Sequence, residues 1–345
     1  MSTETAVVVV VVPDFSGRAA GTFELRSLFF LGSLLENGGA AAAFPIHLAC
    51  IGEPPESIKR LASTLDCSIT VHEPMNLAAT RFDNKLRGLE VKGRTPRVLL
   101  LDADMLVLSD LSALGELGDC IGVSPALRPH LPDHYWHRIY AALGIAEPDH
   151  RIASVLGEML DPARMGLRSD RQNQRLRRMH PYYHGGFVYA PWSCDLRELW
   201  ARYIQEVAGL YDEGDVEWPN LGRSDMAGLA VAVVQLARQG TPVVCVNNAL
   251  DASWPEVYAG MLRWGTVALF HASGIFNDTD VPLTREGIRQ AISGYCAGTV
   301  SHLENGNRFT RVICRDEAAF HDFFTRLEAE LQRIFEARVA PVLGL

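Results

Sequence analysis

Six consecutive valines, Val7 to Val12, are stopped by Pro13-Asp14. β-branched side chains favour extended backbone, and an unbroken apolar run has no polar face to give to water. Such a strand belongs in a sheet covered on both sides, which selects an α/β architecture over a sandwich or a helix bundle. The residues that follow keep to that scheme. A helical stretch from Thr22 to Glu36 closes at Asn37-Gly38-Gly39, and Ile46–Ile51 reads as a second strand. A Pro-started helix over 55–65, a strand at Ser68–His72, a helix over Asp83–Val91 and a strand at Arg97–Leu101 come next. Strands alternating with helices predict a mostly parallel central sheet flanked by helices.

The second half is less regular. Strands are expected near Cys120–Ser124, Phe187–Ala190, Thr241–Asn247 and Val267–Phe270, and helices near Leu196–Tyr211 and Asp225–Arg238. A C-terminal helix is expected over 317–337. Residues 125–180 begin rich in Pro and His and end rich in Arg (Arg164, Arg168, Arg171, Arg175, Arg177, Arg178), and read as an insertion or lid within one domain spanning 1–345.

A net charge of −9 argues against nucleic acid as a partner, because polyanion binding rests on Lys and Arg neutralising phosphates. It leaves a nucleotide ligand open. Seven dispersed cysteines without CxxC pairs read as reduced thiols, and the N-terminus lacks a basic signal-peptide region, so a cytoplasmic setting is expected. No apolar stretch is long enough for a transmembrane helix. The oligomeric state is not legible.

Parallel α/β sheets bind ligands at the carboxyl ends of their strands. Asp102 stands where the run Val98–Leu101 ends, and Asp104 follows two residues later. Two carboxylates so close suit one hard divalent cation such as Mn²⁺ or Mg²⁺, which takes oxygen ligands and leaves positions for phosphate. The same pair in a solvated polar turn is the alternative reading.

Four segments resemble glycosyltransferase family eight, the glycogenin and bacterial galactosyltransferase group, and more broadly the GT-A fold. They are Phe82-Asp-Asn-Lys-Leu-Arg-Gly-Leu-Glu90, then Arg97-Val-Leu-Leu-Leu-Asp-Ala-Asp-Met-Leu-Val-Leu-Ser-Asp-Leu111, then Tyr183-His-Gly-Gly-Phe-Val-Tyr-Ala-Pro191. The fourth pairs Ser224-Asp225 with Phe270-His-Ala-Ser-Gly274. The resemblance implies a GT-A nucleotide-diphospho-sugar transferase that moves a sugar, most simply from a UDP-sugar, to an acceptor hydroxyl with retention. Asp102, Asp104 and His271 would be the metal ligands. Lys85 would touch the donor sugar or its phosphates with help from Asp83 and Asn84, and Val12, Pro13 and Asp14 would lie against the base. Ala103, His184, Gly185, Gly186 and Gly274 complete the donor site it implies, and Asp225 would act with Lys85 at the reacting face. The acceptor, whether glycan, lipid-linked or small molecule, is not implied.

The chain departs from the family pattern. His184 stands for its Asn, Met226 for its Gln, and the Lys-Pro-Trp that usually follows the His motif is absent, the chain reading Gly274-Ile-Phe-Asn-Asp278. An arginine of the 164–178 stretch is the expected substitute for that lysine. Three rivals use related patterns. A haloacid-dehalogenase phosphohydrolase places its Asp-x-Asp in the first strand, a sugar-nucleotide pyrophosphorylase needs a Gly-rich loop there, and a degenerate transferase keeps the pocket without turnover.

Overall fold

The computed structural model describes residues 7–17, 19–75, 77, 81–90, 95–127, 131, 133–153, 178–210, 224–246, 248–277, 281–304, 314 and 316–345. In chain order the strands are β1 (Val7–Val11), β2 (Ile46–Ile51), β3 (Cys67–His72), β4 (Arg97–Leu101), β5 (Met105–Val107), β6 (Ile121–Pro125), β7 (Ile152–Ala153), β8 (Arg178–Met179), β9 (Tyr183–Pro191), β10 (Val243–Cys245) and β11 (Leu269–His271). The α-helices among the described residues are α1 (Ala20–Asn37), α2 (Glu56–Ala62), α3 (Asp133–Ala142), α4 (Leu196–Gly209), α5 (Ser224–Arg238), α6 (Trp254–Tyr258), α7 (Arg285–Glu304), α8 (Glu317–Ile334) and α9 (Ala340–Leu343). The chain divides into two compact units. The first comprises Met1–Glu73, Leu101–Leu117 and Asn247–Leu345, the second Pro74–Leu100 and Gly118–Val246.

In the first unit β1, β2 and β3 lie side by side in that order and run parallel, with Val9 opposite Ile46 and Ile46 opposite Cys67. Every residue of β1 and β2 is buried, the apolar ones as two-sided cover requires and His47 of β2 with its ring nitrogens paired to the Ser68 and Thr70 hydroxyls, while β3 alternates towards exposure as an edge strand does. Full burial of each β1 valine contributes roughly 1.5–3 kcal/mol relative to exposure. Helix α1 buries Leu25, Leu28, Phe29, Phe30, Leu31 and Leu34. Helix α8 starts at Asp316, whose side chain accepts from Ala319 N at 3.0 Å, and buries Phe320, Phe323, Phe324, Leu327, Leu331 and Ile334 at helical spacing. A five-residue π-helix, Phe335–Val339, continues it.

In the second unit the strand order is β10-β6-β9-β4. β10 and β6 are parallel, whereas β6 and β9 are antiparallel with an irregularity between Val123 and Ser124. Helices α4 and α5 pack on each other, and α5 also packs on β9. The architecture is therefore α/β with mostly parallel pairing, as the valine run predicts. The segment expected as a helix over Asp83–Val91 is instead a 3-10 stretch, Arg81–Leu89. Asp83 and Asn84 are buried there and turn inward to hold nearby backbone, which favours the tighter winding. Of the Arg-rich stretch, Arg164, Arg168, Arg171, Arg175 and Arg177 lie outside the described residues. Among the described residues no helix is long and apolar enough to cross a membrane.

Candidate active site

In the first unit the chain leaves β4 at Leu101 and turns at once, Met105 N donating to Asp102 O at 3.2 Å. Ala103 points inward, 5 % exposed, so the two aspartates flank a buried residue and both stay partly open. β5 then pairs antiparallel with β11, setting His271 opposite Met105. Ala272 N donates to Asp104 O at 2.9 Å, and the His271 ring meets Asp104 across that ladder, Nε2 lying 3.0 Å from Oδ1. Ligand atoms of Asp102 and His271 also come within 4.8 Å of one another. Adjacent ligands on an octahedral cation with bonds of about 2.1 Å stand about 3.0 Å apart, so the His271–Asp104 spacing already fits an ion.

Asp251 reinforces this cluster. It precedes Ala252, which bridges to Phe270, and His271 N donates to Ala252 O at 2.7 Å. Burial pulls the His271 pKa down, but the charges of Asp104, Asp251 and Asp102 and the hydrogen bond to Asp104 outweigh it and raise the value to about 9. Without a metal the ring is therefore a cation beside carboxylates. The site attracts positive charge, and chemistry that suits a divalent ion is the consequence.

Arg26 joins this group from α1. Its Nε donates to Ile275 O at 3.0 Å, one terminal nitrogen donates to Asn277 Oδ1, and the other lies 3.5 Å from Asp104 Oδ2. Gly274 has φ +112, a conformation that favours glycine, and begins the turn that Arg26 grips. Sequence reasoning missed Arg26 and Asp251. Arg26 carries one signal, a cation inside the apolar stretch Leu25–Leu35, which a buried helix face seldom tolerates without a purpose.

The turn after β1 stays bound to β2, with Ile51 N donating to Pro13 O at 2.9 Å and Phe15 N to Ile51 O at 2.7 Å. Val12 lies between β1 and that turn, and Asp14 Oδ1 accepts from Ser16 N at 3.0 Å and from Ser16 Oγ at 2.6 Å. A loop so tied offers a fixed rim at a strand's carboxyl end.

The second unit gathers a different set. A methyl group placed on Gly185 would lie 3.4 Å from both Lys85 Nζ and Asp225 Oδ2, so the ammonium and the carboxylate border one small space that the glycine keeps open. Asp225 is 3 % exposed in the first turn of α5, and its carbonyl accepts from Trp200 Nε1 at 2.7 Å. Asp83 Oδ2 accepts from Leu77 N at 3.0 Å and Asn84 Oδ1 from Met75 N at 2.7 Å, so both side chains hold the preceding backbone in place. His184 sits on β9 opposite Ser124, half-buried, and Gly186 is buried beside it.

The fold and these clusters define an α/β protein with a carboxylate–imidazole centre at a strand end in the first unit and a lysine–aspartate corner in the second. No family profile and no curated protein matches the chain. Among solved structures it is similar to the galactosyltransferase LgtC in complex with donor and acceptor sugar analogs, at 14 % identity over 83 % of this chain and 95 % of that one, TM-score 0.48. An active-site mutant of LgtC is similar at 15 % identity over the same shares, TM-score 0.49. The apo form of mouse xyloside xylosyltransferase 1 is similar at 13 % identity over 78 % of this chain and 98 % of that one, TM-score 0.46.

Proposed function

We propose that this chain is a metal-dependent glycosyltransferase that moves a sugar from a nucleoside-diphosphate donor, a UDP-sugar, to an acceptor hydroxyl with retention. The observation that carries the reading is the meeting of His271 Nε2 with Asp104 Oδ1 at 3.0 Å beside Asp102, at the end of a buried strand. Asp102, Asp104 and His271 would hold Mn²⁺ or Mg²⁺, which when bound offsets charge on the departing diphosphate. Lys85 would bind the donor through its ammonium, and Gly185 lets the sugar approach where a side chain would intrude. Asp225 would orient the sugar hydroxyls, and we assign it no covalent intermediate. Val12, Pro13 and Asp14 would form the rim for the base. Seven free cysteines support a reducing compartment, the cytoplasm.

The test is release of UDP from a panel of UDP-sugars with Mn²⁺, with EDTA and with metal restored. Turnover of at least one donor, abolished by EDTA and recovered with Mn²⁺, is the expected result. Metal-dependent donor binding without turnover across the panel would make the chain a nucleotide-sugar-binding protein. Failure to bind any donor, with hydrolysis of a generic phosphomonoester, would overturn the reading in favour of a phosphohydrolase.

A further inference from the structure

Asp102, Asp104 and Asp251 crowd negative charge around His271, and a diphosphate brought there adds more of the same sign. A single divalent ion offsets part of that charge, and a second cation held in a fixed position lowers the cost of the rest. Arg26 is placed to be that cation. Its side chain is 12 % exposed and its guanidinium stands 3.5 Å from Asp104 Oδ2. That distance is the outer limit of a hydrogen bond, so Asp104 does not engage the guanidinium in a tight two-pronged pair. The contacts to Ile275 O and Asn277 Oδ1 fix the plane of the group and leave N–H groups on both terminal nitrogens. A planar fork with donors to spare suits the oxygens of a phosphate.

The turn that holds Arg26 is shaped with unusual care. Phe276 adopts φ +53, in the left-handed region that a non-glycine residue enters at a cost, two residues after Gly274. Its ring is buried and meets Phe29 at 4.9 Å between centroids. Phe29 and Arg26 are one turn apart on α1, so the helix grips this loop at two points, through a ring and through a guanidinium. A strained loop held by packing is the usual mark of a preorganised site rather than of an incidental tie.

We propose that Arg26 binds the donor diphosphate beside Asp104; this rests on the nucleotide-sugar reading above. The full chain, as wild type and as Arg26→Ala, is titrated with inorganic pyrophosphate, UDP and uridine, each with Mn²⁺, and with Mn²⁺ alone. Loss of the guanidinium should weaken pyrophosphate and UDP by on the order of 10- to 100-fold and leave uridine unchanged. Mn²⁺ alone should bind the variant as tightly as wild type or more tightly, since a neighbouring positive charge has gone. Asn277→Ala, which breaks the loop contact and keeps the cation, should retain pyrophosphate affinity.

Unchanged pyrophosphate binding in Arg26→Ala overturns the proposal. So does an equal loss for uridine, or an equal loss in Asn277→Ala, because each makes Arg26 a tie between helix and loop. Arg26→Gln is the second variant if Arg26→Ala does not fold, with the same expected loss. Wild-type protein that binds neither UDP nor pyrophosphate with Mn²⁺ refutes the glycosyltransferase reading itself, and the role of Arg26 with it.

Discussion

His180 in the second unit offers a measurement in which pH and stability are tied to one side chain. Its side chain is 0 % exposed, stacked on Trp136 at 5.6 Å and on Tyr140 at 6.4 Å, with the His137 ring edge-on at 5.9 Å. Neither ring nitrogen has a hydrogen-bond partner, although Glu147 Oε1 stands 3.3 Å and Asp133 Oδ1 3.9 Å from Nε2. Burial drives the pKa down from 6.5 to about 4; Arg151 and His137 push the same way, and Glu147 and Asp133 oppose them. The unfolded chain therefore binds a proton that the native protein refuses. The stability linked to the neutral ring is present above pH 6.5 and is lost progressively as pH falls from 6.5 to about 4. At about 1.4 kcal/mol per pH unit the loss approaches ~3 kcal/mol. His180→Phe keeps the stack and removes the titration. Urea unfolding of both proteins across this range should show wild type losing ~3 kcal/mol more than the variant, a difference in which carboxylates remote from position 180 cancel. Parallel stability curves would refute the assignment of a neutral, desolvated imidazole at this position.

Two further predictions concern the proposed site. His271→Ala or Asp104→Asn should weaken Mn²⁺ binding by at least ~10- to 100-fold, the range seen for groups that only support metal ligands; calorimetry showing wild-type affinity in both would move the metal elsewhere. Gly185→Ala places a methyl 3.4 Å from Lys85 Nζ and Asp225 Oδ2, in ordinary contact with both. Stability should change by less than about 1 kcal/mol, while kcat/KM should fall roughly tenfold as the methyl enters the space kept for the donor. Full activity in a stable variant would remove this corner from the chemistry.

The elements that were legible are those in which one local pattern decides the outcome. Ile46–Ile51 and Arg97–Leu101 are strands over the residues expected, because short segments so dominated by apolar residues leave the backbone one environment. Helix α7 shows why others were not. Over its twenty residues it buries Ile288, Ile292, Cys296 and Leu303, a narrow stripe diluted by Gly287, Gly294 and Gly298, so its sequence carries a weak helical period. Gly185-Gly186 suggests a turn before a short strand, yet β9 runs from Tyr183 through both glycines to Pro191. Tertiary pairing with β6 outweighed the local preference there. The expected strand at Thr241–Asn247 shortens to Val243–Cys245, two of its three residues being exposed.

The candidate site divides along the same line between local and distant information. Asp102 and Asp104 are readable because the strand end and both carboxylates fall within a few residues. His271 lies 167 positions from Asp104, and no periodicity connects them; what joins them is the antiparallel register of β5 and β11. That register also explains why one histidine is brought to the carboxylates: with His271 opposite Met105 its ring reaches Asp104, and a slip of one residue would turn it to the other face. Arg26 was harder still, because a helix hides a polar contact to a distant turn among positions that exist to pack. Leu25, Leu28 and Phe29 account for the burial of α1, but none of them needs a guanidinium between them. A cation kept mostly out of water beside Asp104 costs desolvation energy that the contacts to Ile275 and Asn277 offset in part. Those two oxygens and Asp104 Oδ2, 3.5 Å away, supply the counter-charge, so the same turn and the same carboxylate that shape the proposed site also place the cation.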